Sequence, residues 1–195
     1  KNIFADKLHV MHRKGKLGLG TAYIQGFKWA LAHGFDICIS QDADFSHDPK
    51  YIKDMLREVN HGADLVIGSR YVKGGGTVNW GFLRKLISWG GSTYSRILLL
   101  TRLHDLTGGY NCYTKKSLET LNLDTIMSNG YCFQVEMKFR NVLAKLKIKE
   151  IPIIFEDRRV GQSKMSKKIF IEALWNVLLM AFSRSKIRKL MNLKN

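Results

Sequence analysis

The sequence predicts an α/β layer fold, with a mostly parallel sheet flanked by helices. Three observations lead there. Short β-branched runs alternate with segments of helical period, the pattern of strands and crossover helices around a parallel sheet. One such run, Phe35-Asp36-Ile37-Cys38-Ile39-Ser40, leads directly into Gln41-Asp42-Ala43-Asp44, and open α/β sheets bind ligands at the carboxyl ends of their strands. Finally, 195 residues with 45% hydrophobic composition, two prolines and no internal repeat suit one compact domain.

The elements follow in order. Leu8-His9-Val10-Met11 reads as a short strand. Leu19, Ala22, Tyr23, Gly26, Phe27, Ala30 and Leu31 recur at helical spacing, so a helix is expected from Leu19 to about His33-Gly34. After the strand at 35–40, Asp48-Pro49 caps a helix with Ile52, Met55, Leu56 and Val59 on one face. Asp64-Leu65-Val66-Ile67-Gly68 is a buried strand. The glycines at 74–76 read as a flexible connection leading to a helix from about Phe82 to Leu100. Short elements are expected around 109–113 and 115–121, then a helix from Tyr131 to about Lys145 and a last strand from Ile148 to Phe155.

The chain divides at 166, with 167–195 as an apolar and basic helix and tail. Ile169–Phe182 is apolar except for Glu172 and Asn176, and is too short to span a bilayer. On a helical wheel Lys168, Glu172, Asn176, Ser183 and Lys186 form one narrow polar stripe. This amphipathic helix either docks on the domain or lies in a membrane interface with Trp175 as an anchor. No signal peptide is visible at the start of the sequence. The three cysteines, Cys38, Cys112 and Cys132, lie in apolar segments without metal-site spacing and read as reduced core thiols in a cytosolic setting.

The formal charge is +16, and the stretch from Asp157 to Asn195 holds ten basic residues against two acidic ones. Such a balance implies an anionic partner. The basic stretch 157–164 lacks the interleaved aromatics expected for base stacking, which argues against nucleic acid. Asp42 and Asp44 project to one side if the backbone stays extended. Two converging carboxylates can seat a hard divalent cation, which in turn can hold a diphosphate. The alternative is that Asp44 caps the following turn.

Several segments together resemble one family. They are His12-Arg13 with Lys16-Leu17-Gly18-Leu19-Gly20-Thr21-Ala22, then Gln41-Asp42-Ala43-Asp44-Phe45-Ser46-His47-Asp48-Pro49, and Gly68-Ser69-Arg70-Tyr71. Gly74-Gly75-Gly76 with Asn79-Trp80, Asp105-Leu106-Thr107-Gly108-Gly109-Tyr110, Gly130-Tyr131 with Phe133-Gln134-Val135-Glu136-Met137, and Asp157-Arg158 with Gly161, Ser163 and Lys164 complete the set. In this order they resemble dolichol- or polyprenol-phosphate mannosyltransferases, family 2 inverting glycosyltransferases of the type-A nucleotide-diphospho-sugar fold. The resemblance runs from His12 to about Phe182. Members of that family open with a nucleotide-gripping strand region, and nothing like it precedes His12, so the chain reads as truncated at its N-terminus.

The resemblance implies transfer of mannose from GDP-mannose to dolichyl or polyprenyl phosphate, with Mg²⁺ or Mn²⁺ at Asp42, Asp44 and Ser46. It puts Asp42, Ala43, Asp44, Arg158 and Lys164 at the donor diphosphate, and Arg70, Arg84 and Ser88 at the acceptor phosphate. Asp44, Arg70 and Arg158 are the implied catalytic residues, and Asp105, Gln134 and Glu136 the implied sugar contacts. Arginine suits such sites because it stays charged and binds two phosphate oxygens at once. Arg84 could equally be an exposed helix residue, and Glu136 could instead pair with Arg140. A peripheral position on the cytosolic face of a membrane is implied, with a separate anchoring subunit as a further partner. The rival readings are a polyprenyl-phosphate glucosyltransferase using UDP-glucose, and a non-catalytic basic module that binds membranes or a partner.

Overall fold

Ile37–Ser40 (β1), Leu65–Ser69 (β2), Asn111–Thr114 (β4) and Ile148–Pro152 (β5) form one sheet in the order β1-β4-β2-β5. The structure, a computed structural model, describes residues 7–15, 17–130, 132–157 and 167–193, with the backbone alone for 167–170. β2 and β5 run parallel, whereas β4 lies antiparallel to both β1 and β2. β1, β2 and β5 therefore share one direction, with a reversed strand between two of them. Gly76–Val78 (β3) and Ile154–Glu156 (β6) pair in parallel as a second, two-stranded sheet.

Leu19–Ala32 (α1), Ile52–Asn60 (α2), Phe82–Leu98 (α3), Lys115–Thr120 (α4), Cys132–Leu143 (α5), Lys167–Phe182 (α6) and Arg184–Leu190 (α7) are the helices. Their starts follow local chemistry. Asp48 accepts a hydrogen bond from the Lys50 amide as Pro49 opens a short 3-10 turn into α2, and the Thr114 hydroxyl caps α4 at Ser117. Side chains alternate across the sheet. Leu65, Ile67 and Tyr113 enter a core with Phe27, Leu118, Phe133, Met137 and Phe139, while Val66 and Cys112 enter a second one with Met55 and Ile151. None of the three cysteines forms a disulfide.

Three expectations need correction. Residues 8–11 form no strand, and Leu8, Val10 and Met11 are exposed; among the described residues no strand pairs with them. The last strand is two. Pro152 has no amide to continue the ladder, and the chain crosses at Ile153, whose amide donates to Ser69 and whose carbonyl accepts from Gly76. The glycines at 74–76 are not a loose connection. A Cβ on Gly75 would lie 2.5 Å from the Ser69 carbonyl oxygen, so glycine is what allows this stretch to pack against the end of β2.

α5 is buried from Cys132 to Asn141 despite carrying Gln134, Glu136, Lys138, Arg140 and Asn141. Each polar group has a partner. Arg140 Nε and Nη2 donate to Glu136 Oε1 at 2.9 and 2.7 Å, and its Nη1 reaches the Leu121 carbonyl and the Thr125 hydroxyl. Glu136 also accepts from the amides of Met127 and Ser128. The i,i+4 pair thus fastens both 121–128 and the helix into one unit. Removing one partner of such a pair strands the other charge in the core. Arg140→Met is expected to lower stability by about 3–5 kcal/mol in chemical denaturation; a loss below about 1 kcal/mol would show that the pair does not hold the helix.

Candidate active site

β1 ends at Ser40, and Gln41 to His47 form a bent loop on the rim of the sheet. The loop does not continue the strand, so the extended backbone on which the expected same-side projection of Asp42 and Asp44 rests is not there. Phe45 has φ 63°, and Asp44 Oδ1 instead closes a turn by accepting from the amide and hydroxyl of Ser46 at 3.1 and 2.5 Å. This is the capping role open to Asp44 from the sequence. Asp42 keeps a half-exposed carboxylate, approached by the Tyr23 hydroxyl at 3.4 Å. Ala43 is exposed on the same loop and Ser46 is buried.

His47, which sequence reasoning left without a role, is buried in this loop. Its ring stacks on Tyr110 and meets Phe155 edge-on, and its Nδ1 accepts from the Asp42 amide at 2.9 Å. Burial pushes its pKa below the ordinary value, against the attraction of Asp42. Gly109 marks where the rim converges. A Cβ there would stand 3.7 Å from Gln134 Nε2 and 3.9 Å from both Asp42 Oδ1 and His47 Cε1. The Ser40 hydroxyl donates to the Gly109 carbonyl at 2.7 Å, tying the end of β1 to this point.

Arg70 follows β2 and is buried. Its Nε and Nη2 donate to Asp105 Oδ2 and Oδ1, each at 2.7 Å, and Nη2 also reaches the Thr107 hydroxyl at 2.9 Å. Asp105 takes further bonds from the amides of Arg70 and Gly108. Lys138, fully buried on α5, donates to the carbonyls of Asp105 and Gly108 at 2.9 and 2.7 Å. Burial works to raise the Asp105 pKa, but the charge and hydrogen bonds of Arg70, helped by Lys138, hold it well below the usual carboxylate range. Burial pushes the Lys138 ammonium down to about 8, against the attraction of Asp105.

A cavity of about 700 Å³ opens between this centre and the helices. Asp42, His47, Arg70 and Thr107 stand in its wall together with Arg84 and Ser88 of α3. The rest of the wall is largely apolar, with Leu83 and Ile87 of α3, Val135 of α5, and Ala173, Leu174 and Val177 of α6. Arg84 donates through Nη1 to both oxygens of Asp157 at 2.7 Å, so it is not a loose surface arginine. The Ser88 hydroxyl accepts from Tyr71 at 2.7 Å.

The structure thus brings Asp42, Arg70, Arg84 and Ser88 to one cavity, with Ala43, Asp44 and Ser46 on the adjoining loop. Asp105, Gln134 and Glu136 do not line it. Asp105 holds Arg70, Gln134 accepts from Asn111, and Glu136 holds Arg140. Direct sugar contact, expected of these three, is not the role their surroundings give them. Arg158 and Lys164 lie outside the described residues. His47, Thr107, Gly109 and Lys138 had no role assigned from the sequence, because their contacts come from partners remote in sequence. For a divalent cation the loop offers hard oxygen donors of the right chemistry. Among the described residues no group of three or more His, Cys, Asp or Glu side chains could hold a metal by itself. A divalent cation held by this loop would have to complete its shell with water and substrate phosphate.

Comparison with known proteins fits this geometry. A family model described as "Glycosyl transferase family 2" matches residues 1–121. An undecaprenyl-phosphate mannosyltransferase of Micrococcus luteus is 50% identical over 170 residues, covering 87% of this chain and 70% of that protein. A polyprenol monophosphomannose synthase of Mycolicibacterium smegmatis is 44% identical over 172 residues, covering 88% of this chain but only 65% of the relative. Among solved structures, glucosyl-3-phosphoglycerate synthase from Mycobacterium tuberculosis, in complex with Mn²⁺, UDP-glucose and phosphoglyceric acid, aligns with TM-score 0.57. That alignment covers 98% of this chain and 59% of the synthase at 12% identity, a likeness of fold alone.

The Arg70–Asp105 pair gives a test by pH. Asp105 has a lower pKa folded than unfolded, so its contribution is present above the unfolded value of 3.8 and is lost as pH falls. Asp105→Asn is expected to cost about 3–5 kcal/mol near neutral pH. In denaturant titrations its gap to wild type should close as pH drops below 3.8; a gap that is constant with pH would rule out the ionised pair.

Proposed function

The chain belongs to glycosyl transferase family 2, and we propose that its site transfers mannose from GDP-mannose to the phosphate of a polyprenyl or dolichyl phosphate. The observation that carries this reading is the mixed character of the cavity wall. Arg70, Arg84, Ser88 and Thr107 in its wall suit a phosphate headgroup. The apolar residues that α3, α5 and α6 contribute to the same wall suit a hydrocarbon chain. A sugar hydroxyl or a soluble phosphate ester would have no use for those apolar residues.

The acceptor needs no general base. A phosphate monoester has its second pKa near about 6 and is already a nucleophile at neutral pH. Its oxygen attacks C1 of the mannosyl group from the face opposite the leaving group. The bond from C1 to the diphosphate oxygen breaks, and GDP departs with the electron pair. Asp42 and Asp44, with Ser46, are the residues that would hold Mg²⁺ or Mn²⁺ near the donor diphosphate. A divalent cation bound there would offset the charge that builds on the leaving diphosphate. Arg84 orients the acceptor phosphate, and Arg70, fixed by Asp105, adds a permanent positive charge in the cavity wall.

A position against a membrane surface fits this acceptor. α6 buries Val177 and Met180 but exposes Trp175 and Phe182 by 60% and 84%. Phe82, Leu83 and Trp89 of α3 are exposed as well, and α7 contributes the exposed Lys186 and Lys189. The C-terminal helix thus docks on the domain and still presents an apolar side. No helix among the described residues is long and apolar enough to cross a membrane.

The test is transfer of label from GDP-mannose or UDP-glucose, in parallel, to a polyprenyl phosphate by the full-length protein with Mg²⁺ or Mn²⁺. Mannose entering the lipid phase is the expected result. Glucose alone would replace the donor, and no transfer from either would remove the enzymatic reading. Asp44→Ala should reduce transfer by about 100-fold or more while circular dichroism stays unchanged. Arg84→Ala should raise the KM for polyprenyl phosphate by roughly 10-fold or more and leave the KM for GDP-mannose nearly unchanged. An equal rise in both would deny Arg84 its acceptor role.

A further inference from the structure

Trp80 stands in the cavity wall with Arg70 and Arg84, yet the reaction above gives it no part. It follows Asn79, whose φ of 63° lies in the left-handed region that asparagine tolerates. Its side chain is almost wholly enclosed, and Phe155 packs edge-on against it at 5.2 Å. The guanidinium carbon of Arg84 lies 4.2 Å from the ring centroid, and that of Arg70 lies 5.5 Å away. The buried indole Nε1 has no hydrogen-bond partner among the described residues.

That unpaired donor is informative. A buried N–H without an acceptor is destabilising, and a phenylalanine would fill much of the same space without one. What indole provides over phenyl is the stronger face for a cation. Here two cations use it. Arg70 and Arg84 are each paired with a carboxylate, Asp105 and Asp157, and an electron-rich ring against both adds a second constraint on their position before any anion arrives.

We propose that Trp80 is a positioning residue for the acceptor phosphate, holding Arg84 and Arg70 ready on one aromatic ring so that a phosphate monoester meets both. The inference rests on the polyprenyl-phosphate reading and adds to it a residue that acts through the two arginines. Asp105 and Asp157 hold the two arginines by hydrogen bonds, and the ring, which lies nearer to Arg84 than to Arg70, has its larger effect on Arg84.

Trp80→Phe tests this in the full-length protein, because it weakens the cation face and removes the unpaired N–H together. The expected result is a Tm equal to or above that of wild type, with the KM for citronellyl phosphate raised roughly 3- to 10-fold. The effect should fall on this KM and not on the KM for the nucleotide sugar. Direct titration should show the preference for citronellyl phosphate over citronellol reduced by the same factor. Trp80→Leu, lacking any ring, should lose more than Trp80→Phe. Unchanged KM in Trp80→Phe, a loss that accompanies a fall in Tm, or equal losses in the two variants would overturn the positioning role. Wild-type protein that binds citronellyl phosphate no better than citronellol would instead overturn the acceptor reading, a distinct result.

Discussion

The buried carboxylate of Asp105 is the constraint on which the site depends. It neutralises Arg70 with two parallel hydrogen bonds, and it takes the amides of Arg70 and Gly108 as well. Its own amide donates to Glu150 of β5, and its carbonyl accepts from Lys138 of α5. The end of β2, the loop after α3, β5 and α5 therefore meet at one residue. A charge this deep would be costly alone. With Arg70 and Lys138 around it, the cost is offset, and the position of every partner is set to within a hydrogen bond. Arg70 is then a fixed charge, not a side chain that searches for its ligand.

The same logic explains the unusual interior of α5. A helix bearing glutamine, glutamate, lysine, arginine and asparagine would normally show a solvated face. Here each of these groups replaces water with a specific partner from a different stretch of chain. Gln134 meets Asn111 beside the rim, Lys138 grips the loop at 105–108, Glu136 and Arg140 secure 121–128, and Asn141 binds Ser117 of α4. A wholly apolar helix could pack as densely, but it could not hold those irregular segments in register. The polar core is how loops, which lack ladders of their own, acquire the rigidity of the sheet.

Much of this was legible in the sequence, and the failures have physical causes. β1, β2, α1, α3 and α5 follow from hydrophobic period, because their partners are apolar and the pattern is local. The reversal of β4 was not legible. A four-residue strand carries no direction in its composition, and Asn111 at its start is polar. The rim position of Asp42 and Asp44 was evident from the preceding strand, but their geometry was not, since the backbone bends at Phe45. Arg70 and Arg84 were visible as arginines near strand and helix ends. That Asp105 buries one and Asp157 pairs with the other depends on contacts 35 and 73 residues away. His47 and Lys138 were hidden for the same reason. Burial is a property of the assembled chain, and no local signal distinguishes a buried histidine or lysine from an exposed one.

A site that must join two anions faces repulsion from its own substrates, and the placement of charge here answers that difficulty. Asp42 and Asp44 lie on the rim loop, where a cation and diphosphate can be reached from solvent. Arg70 and Arg84 stand in the wall of a cavity that α3, α5 and α6 line with apolar residues. On the proposed reading the acceptor phosphate meets the arginines while its hydrocarbon chain stays against α3 and α6. Loose arginines would leave the phosphate to organise them on arrival. Asp105 under Arg70, Asp157 on Arg84 and the Trp80 ring against both remove that burden in advance. Preorganised charge of this kind is most effective where water is excluded, and Arg70 and Trp80 of this wall, like the Asp105 that holds Arg70, are buried.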